Sequence, residues 1–299
     1  MRRDDIPIID AHQHLWDLDA NYHPWLSDQV GPAAWGSYDA LLRNYTLDDF
    51  LRDAEGQSLV KAVHLDVGWD PRDPVGETRW LQKIADERGF PHGIVGYADL
   101  SRPDVADVLD AHAEHANFRG IRQSMNYHPE KAKTYLDRPE VSRTPEWRRG
   151  FEELRKRELS FDLQLYHPQM REFFELAADY PDVQIILNHT GMQVDGPDHF
   201  QPWREGMSVL AQAPNVACKI SGLGMGDHDW TTESIRPYVE HAIEVFGVER
   251  CMFASNFPVD SLFSSYGAIF DAFREITRDF SRDERMALFH DNAERFYRL

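Results

Sequence analysis

Ile6-Pro7-Ile8-Ile9-Asp10-Ala11-His12-Gln13-His14 is the stretch on which the reading of this chain turns. In an extended segment successive side chains alternate between faces, so His12 and His14 project the same way, with Asp10 on their side as a supporting acceptor. The apolar run ahead of them reads as a buried strand, and the two imidazoles stand where it leaves the core. Neutral imidazole suits zinc or a similar divalent ion, so the pair points to metal or acid–base chemistry at a strand end. An open doubly wound sheet would want a glycine-rich phosphate loop after its first strand, and His-Gln-His stands there instead.

Working outward, apolar runs recur at 6–14, 60–67, 92–99, 118–125, 160–167, 183–189, 215–221 and 250–256. Amphipathic helical patterns lie between them near 46–57, 77–88, 103–116, 145–158, 169–180, 202–213, 232–246 and 266–278, with a last one near 282–296. Thr46-x-x-Asp49, Ser101-x-x-Asp104 and Ser281-x-x-Glu284 carry helix-start signals. Eight strands alternating with eight helices predict an α/β chain forming one (β/α)8 TIM barrel over residues 1–299. Two connections are long: 15–45, with Trp16, Trp25 and Trp35, and 126–144, with Tyr127 and Tyr135. In a barrel such loops build the mouth of the site.

With 51 acidic against 32 basic residues, the net charge of −19 disfavours nucleic acid and anionic membrane as partners. No segment approaches the roughly 18 consecutive apolar residues of a membrane span. Residues 1–5 are basic but lack an apolar signal core, and the two cysteines, Cys218 and Cys251, sit in apolar runs. The expectation is a cytoplasmic protein with reduced core thiols.

A barrel brings scattered residues together, because the C-terminal end of every strand faces one cavity. His189 ends the sixth run and joins His12 and His14 as a candidate ligand or proton carrier. His167, ahead of Pro168, is a further candidate ligand. Arg122 on the fourth run needs an anionic or oxygen-rich ligand, or an internal partner such as Asp66 or Glu77. Lys219 on the seventh run is a further substrate-binding candidate.

Assembled in this way, the chain resembles the amidohydrolase superfamily over nearly its whole length. The nearest group is that of the sugar-acid lactonases, fuconolactonase and rhamnonolactonase, with the pyrone-dicarboxylate lactonase as a relative. The resemblance is carried by Ile9-Asp10-Ala11-His12-Gln13-His14-Leu15-Trp16, Gly120-Ile121-Arg122, Asn188-His189-Thr190-Gly191, Cys218-Lys219-Ile220-Ser221-Gly222-Leu223 and Met252-Phe253-Ala254-Ser255-Asn256-Phe257-Pro258. It implies a distorted barrel that adds water to a lactone or related carbonyl at the strand C-termini. Some members hold one divalent ion, usually zinc, and the pyrone-type enzyme works without a metal.

One departure matters. Such enzymes commonly carry an aspartate on strand eight where this chain has Asn256, and an amide cannot accept a proton as a carboxylate does. Asn256 is then an orienting residue, and His189, Asp260 or Asp66 is the substitute base. Gln164 also stands where many relatives place a ligand, and His167-Pro168 resembles a metal-binding His-Pro of the related decarboxylases.

The resulting expectation is a hydrolase of a small sugar-derived or carboxylated lactone. His12 and His14 would hold a zinc-type ion with His167 or His189 as third ligand, Arg122 would grip a carboxylate or oxyanion, and the Trp16/Trp25 loop would close over the ring. Two alternatives stay open: a metal-dependent decarboxylase on the same scaffold, and a non-catalytic small-molecule binder, made plausible by Asn256. Oligomeric state is not legible.

Overall fold

Each apolar run forms a strand in the computed structural model, which describes residues 6–28 and 31–299; residues 1–5, read above for a leader, lie outside it. The strands are β1 (Ile8–Gln13), β2 (Leu59–Leu65), β3 (Gly93–Tyr97), β4 (Phe118–Ser124), β5 (Ser160–Gln164), β6 (Ile185–Leu187), β7 (Val216–Ile220) and β8 (Cys251–Phe253). They lie in one sheet in sequence order, and every adjacent pair is parallel. The helices that follow them are α1 (Leu47–Asp53), α2 (Gly76–Arg88), α3 (Val105–Ala113), α4 (Pro145–Lys156), α5 (Met170–Asp179), α6 (Phe200–Leu210), α7 (Thr232–Phe246) and α8 (Tyr266–Ile276). This is the expected (β/α)8 barrel.

Capping boxes form at Thr46 and Ser281. Ser101 does not cap a helix, because α3 starts only after Asp104. β6 and β8 are three residues each, shorter than their apolar runs, because the chain soon turns into left-handed backbone at His189 and Asn256.

Alternation sorts the strand side chains into two cores. Ile8, Ala62, Ile94, Ile121 and Phe161 pack outward among the helices. Ile9, Ala11, Val63, Leu65, Val95, Ile186, Ala217 and Met252 fill the barrel interior, where Ala293 and Tyr297 of the C-terminal helical segment join them. Lys219 and Asp162 lie among these residues, fully buried, with Nζ 2.5 Å from Oδ1, and the Tyr297 hydroxyl donates to the same oxygen at 2.8 Å.

β1 departs from strict alternation. Asp10 pairs with Ala62 and Gln13 with His64, so β1 uses one residue more than β2 over the same span, as in a β-bulge. The bulge separates Asp10 from the histidines, correcting the expectation that all three share a face. Asp10 instead lies in the seam between β1 and β8, where its carboxylate accepts from Ser255 N at 2.9 Å and Ser255 Oγ at 2.6 Å. The same seam is laced by Asn256 N to His12 O and His14 N to Phe257 O, both 2.8 Å.

Burial pushes Lys219 down to about 8 although Asp162 faces it, so the interior pair is held against a large desolvation cost. Lys219→Met leaves Asp162 uncompensated and is expected to lower the urea unfolding free energy by about 3–5 kcal/mol, whereas Lys219→Met with Asp162→Asn recovers most of that loss.

Candidate active site

The mouth of the barrel encloses a cavity of about 570 Å³. His14 lines it from the end of β1, and its Nδ1–H donates to Leu65 O at 2.8 Å. That bond leaves Nε2 of His14 with its lone pair, 3.2 Å from Nε2 of His12. The His189 ring packs on His12 with centroids 4.3 Å apart, and its Nδ1 meets Ser221 Oγ at 3.0 Å.

All three imidazoles are held well below their usual pKa. Burial is the main cause in each, followed by the positive charge of Lys219 for His12 and of Arg122 for His14 and His189. They are neutral at physiological pH, the form that ligates a metal or accepts a proton.

The turn that delivers His189 is unusual. His189, Thr190 and Met192 all have φ near +50°, with Gly191 at +76° between them. Non-glycine residues occupy that region rarely, and runs of them mark sites where geometry is imposed for function. The turn swings His189 away from the outward course of Ile185 and Leu187 and onto the cavity wall. Asn256, at φ +57°, does the same after β8, and it too lines the cavity.

Asp66 and Arg122 also line the cavity and bind each other. Arg122 donates from Nε to Asp66 Oδ2 at 2.9 Å, from Nη2 to Asp66 O, and from Nη1 to Gln164 Oε1 at 3.1 Å. Of the two internal partners expected for Arg122, Asp66 is the one that it meets and Glu77 is not. Trp25 also lines the cavity, donating from its indole to Val67 O, and Trp35, Trp69 and Tyr135 complete an aromatic rim. Trp69 came from the short βα2 connection, which carried no length signal.

Five of the expected residues lie elsewhere. Trp16 is fully buried behind Trp25, its indole tied to Arg43 O at 2.6 Å. Glu77 starts α2 and holds His64 Nε2 at 3.1 Å, outside the cavity wall. Lys219 is committed to Asp162 in the interior below. His167 turns away from His12 and His14 and stands beside His199, ring centroids 5.4 Å apart, because the turn begun by Pro168 directs it outward. Asp260 is buried one turn beyond Asn256, its N–H donating to Asn256 O at 3.1 Å; burial pushes its carboxyl up to about 8.

The amidohydrolase profile matches residues 9–299. The chain belongs to the amidohydrolase family. It is 70% identical over 295 residues to the uncharacterized protein y4mH of Sinorhizobium fredii, covering 99% of each chain. It is 27% identical to the L-fucono-1,5-lactonase of Burkholderia ambifaria, over 97% of this chain and 95% of that one. Among solved structures, an amidohydrolase of Burkholderia multivorans with bound zinc superposes with a TM-score of 0.82 at 25% identity, covering 98% of this chain and 99% of that one.

The amidohydrolase donor set here fits a divalent ion. Two neutral imidazole nitrogens on a tetrahedral ion at about 2.0–2.1 Å stand roughly 3.3 Å apart, close to the His12–His14 separation. His14 has the backbone carbonyl support typical of a metal-ligating histidine, whereas Nδ1 of His12 is buried without a partner.

Gly222 faces this cluster: a Cβ there would lie 2.7 Å from His189 Nδ1, on a backbone with φ +65°. Gly222→Ala is expected to displace His189 and lower kcat/KM by roughly 100-fold, with far-ultraviolet circular dichroism unchanged. Full activity in this variant would remove His189 from the reacting geometry.

Proposed function

We propose that this amidohydrolase opens a small neutral lactone, of the sugar-derived kind, to its hydroxy acid. The observation that carries the reading is the meeting of three neutral imidazoles with a left-handed Asn256 at one end of an aromatic-rimmed cavity. The likeness to L-fucono-1,5-lactonase over nearly the full length of both chains supports the reaction class.

Neutral substrates are favoured by the state of Arg122. Three of its five N–H groups already donate to Asp66 or Gln164, and Asp66 cancels its charge. A substrate carboxylate would meet a guanidinium already neutralised by Asp66, with that carboxylate close by, whereas ring hydroxyls can bond to the amides and hydroxyls around it. In this reading Arg122 shapes the wall, in place of the carboxylate clamp expected from sequence.

In the reaction, water oxygen adds to the lactone carbonyl carbon, and the bond from that carbon to the ring oxygen breaks. His189 takes the proton from the attacking water and returns it to the departing ring oxygen. Ser221, on the far side of the ring, orients it. The Asn256 amide donates to the carbonyl oxygen as negative charge develops there. Asp260, protonated at neutral pH, acts as a positioning residue for Asn256 and not as the base. A zinc-type ion on His12 and His14 would add Lewis-acid polarisation of the carbonyl. The indole rim excludes water and stacks on the apolar face of the ring.

Two buried, unpaired thiols, Cys218 and Cys251, support a reducing, cytoplasmic setting. No described helix is long and apolar enough to cross a membrane.

A lactone panel followed by a pH indicator checks the proposal. Neutral lactones should open faster than carboxylated ones, and His189→Ala should cost about 10²–10⁴-fold in rate. Equal rates in His189→Ala and wild type would end this assignment. Tight lactone binding without turnover would instead identify a binding protein.

The pH profile is a second check. Protonation removes the base, and burial holds the His189 pKa well below the usual 6.5, so the rate should begin to fall only well below pH 6.5. An acid limb centred near 6.5 would mean a solvent-exposed imidazole is the base.

A further inference from the structure

His167 and His199 belong to no part of the mechanism above, and neither imidazole hydrogen-bonds to any described residue. They come from different connections. His167 opens the turn between β5 and α5, and His199 immediately precedes α6. Asp195, on the same connection as His199, completes a group in which one ligand atom from each residue lies within 4.8 Å of the others.

We propose that His167, Asp195 and His199 form a second metal site, taking a divalent ion of the zinc class, that pins the β5 and β6 connections together at the barrel mouth. Two imidazoles and one carboxylate are a donor set that such ions prefer, with an open position left for water. His167 is half-buried and held below its usual pKa, first by that burial and then by His199, so it presents a neutral ring. Its backbone is confined as well, since the carbonyl of His167 lies against Gly206 of α6, where a Cβ would come within 3.1 Å.

The competing account is that Asp195 serves only as an ion-pair partner. Its Oδ1 takes Lys133 Nζ at 2.8 Å and lies 3.4 Å from His128 Nε2. That account leaves Oδ2 and both imidazoles without a task. A bound ion would use them, and it would stiffen the connection that also carries His189 and Met192 into the cavity.

The test separates this site from the first. His12→Ala/His14→Ala protein, stripped with chelator and reloaded with zinc sulfate, should retain one zinc per chain by elemental analysis. Adding His199→Ala or Asp195→Asn should weaken zinc binding by about 100-fold in calorimetry. Lys133→Ala, which removes a competing cation, should tighten it. His199 is exposed, so its loss does not threaten folding, and circular dichroism of each variant verifies this. No zinc in the double variant, or unchanged affinity after His199→Ala, overturns the proposal. Lactone turnover plays no part in these measurements, so failure here leaves the lactonase reading untouched.

Discussion

The seam between the last strand and the first is the constraint on which the site depends. One buried carboxylate, Asp10, takes donors from Ser255 N, Ser255 Oγ and His12 N. Burial raises its pKa to about 6 in spite of those bonds, so the seam is held by a group that is costly to desolvate and fully engaged. Ser255 is thereby fixed, and the next residue, Asn256, is thrown into its left-handed conformation beside His12. Without closure at this point His12, His14 and Asn256 would sit on separate edges of an open sheet.

A second constraint is electrostatic. The chain carries a net charge of −19, yet the groups nearest the three imidazoles include two cations, Lys219 below and Arg122 across the cavity. Each is paired, with Asp162 and Asp66 respectively. The residual positive field and the burial act in the same direction on the histidines and keep them neutral. A neutral imidazole cluster is what both a metal-assisted and a proton-transfer chemistry require, so the scaffold is prepared for either before any ligand arrives.

Family membership sets this scaffold but leaves the reaction to the loops and to a few strand-end residues. The strand-eight position shows how far a small change reaches. With an asparagine there, the proposed mechanism gives proton transfer to His189, and burial pushes the carboxyl one turn on, Asp260, up to about 8. The aromatic rim and the Asp66-neutralised Arg122 are the features on which the proposal of an uncharged, ring-shaped substrate rests.

Much of this was legible in the chain itself. Apolar runs and amphipathic intervals determine the eight strands and helices, because alternation and helical periodicity are local consequences of burying one face. His12, His14 and His189 could be singled out because each ends such a run, and Asn256 because the family resemblance marks its position. The tertiary structure decided which way side chains face once strands bulge or stop. The β1 bulge removed Asp10 from the face of the histidines, and the left-handed turns after β6 and β8 brought His189 and Asn256 inward. Arg122 and two candidate partners, Asp66 and Glu77, were visible, but the choice between them was not: Asp66 lies 56 residues away and meets it only once the barrel forms. Trp16, Glu77 and Lys219 had the right chemistry but lie a layer behind the wall or below it, and His167 faces a different cluster. Local pattern determines that a residue is at a strand end, whereas only closure of the sheet determines what it meets there.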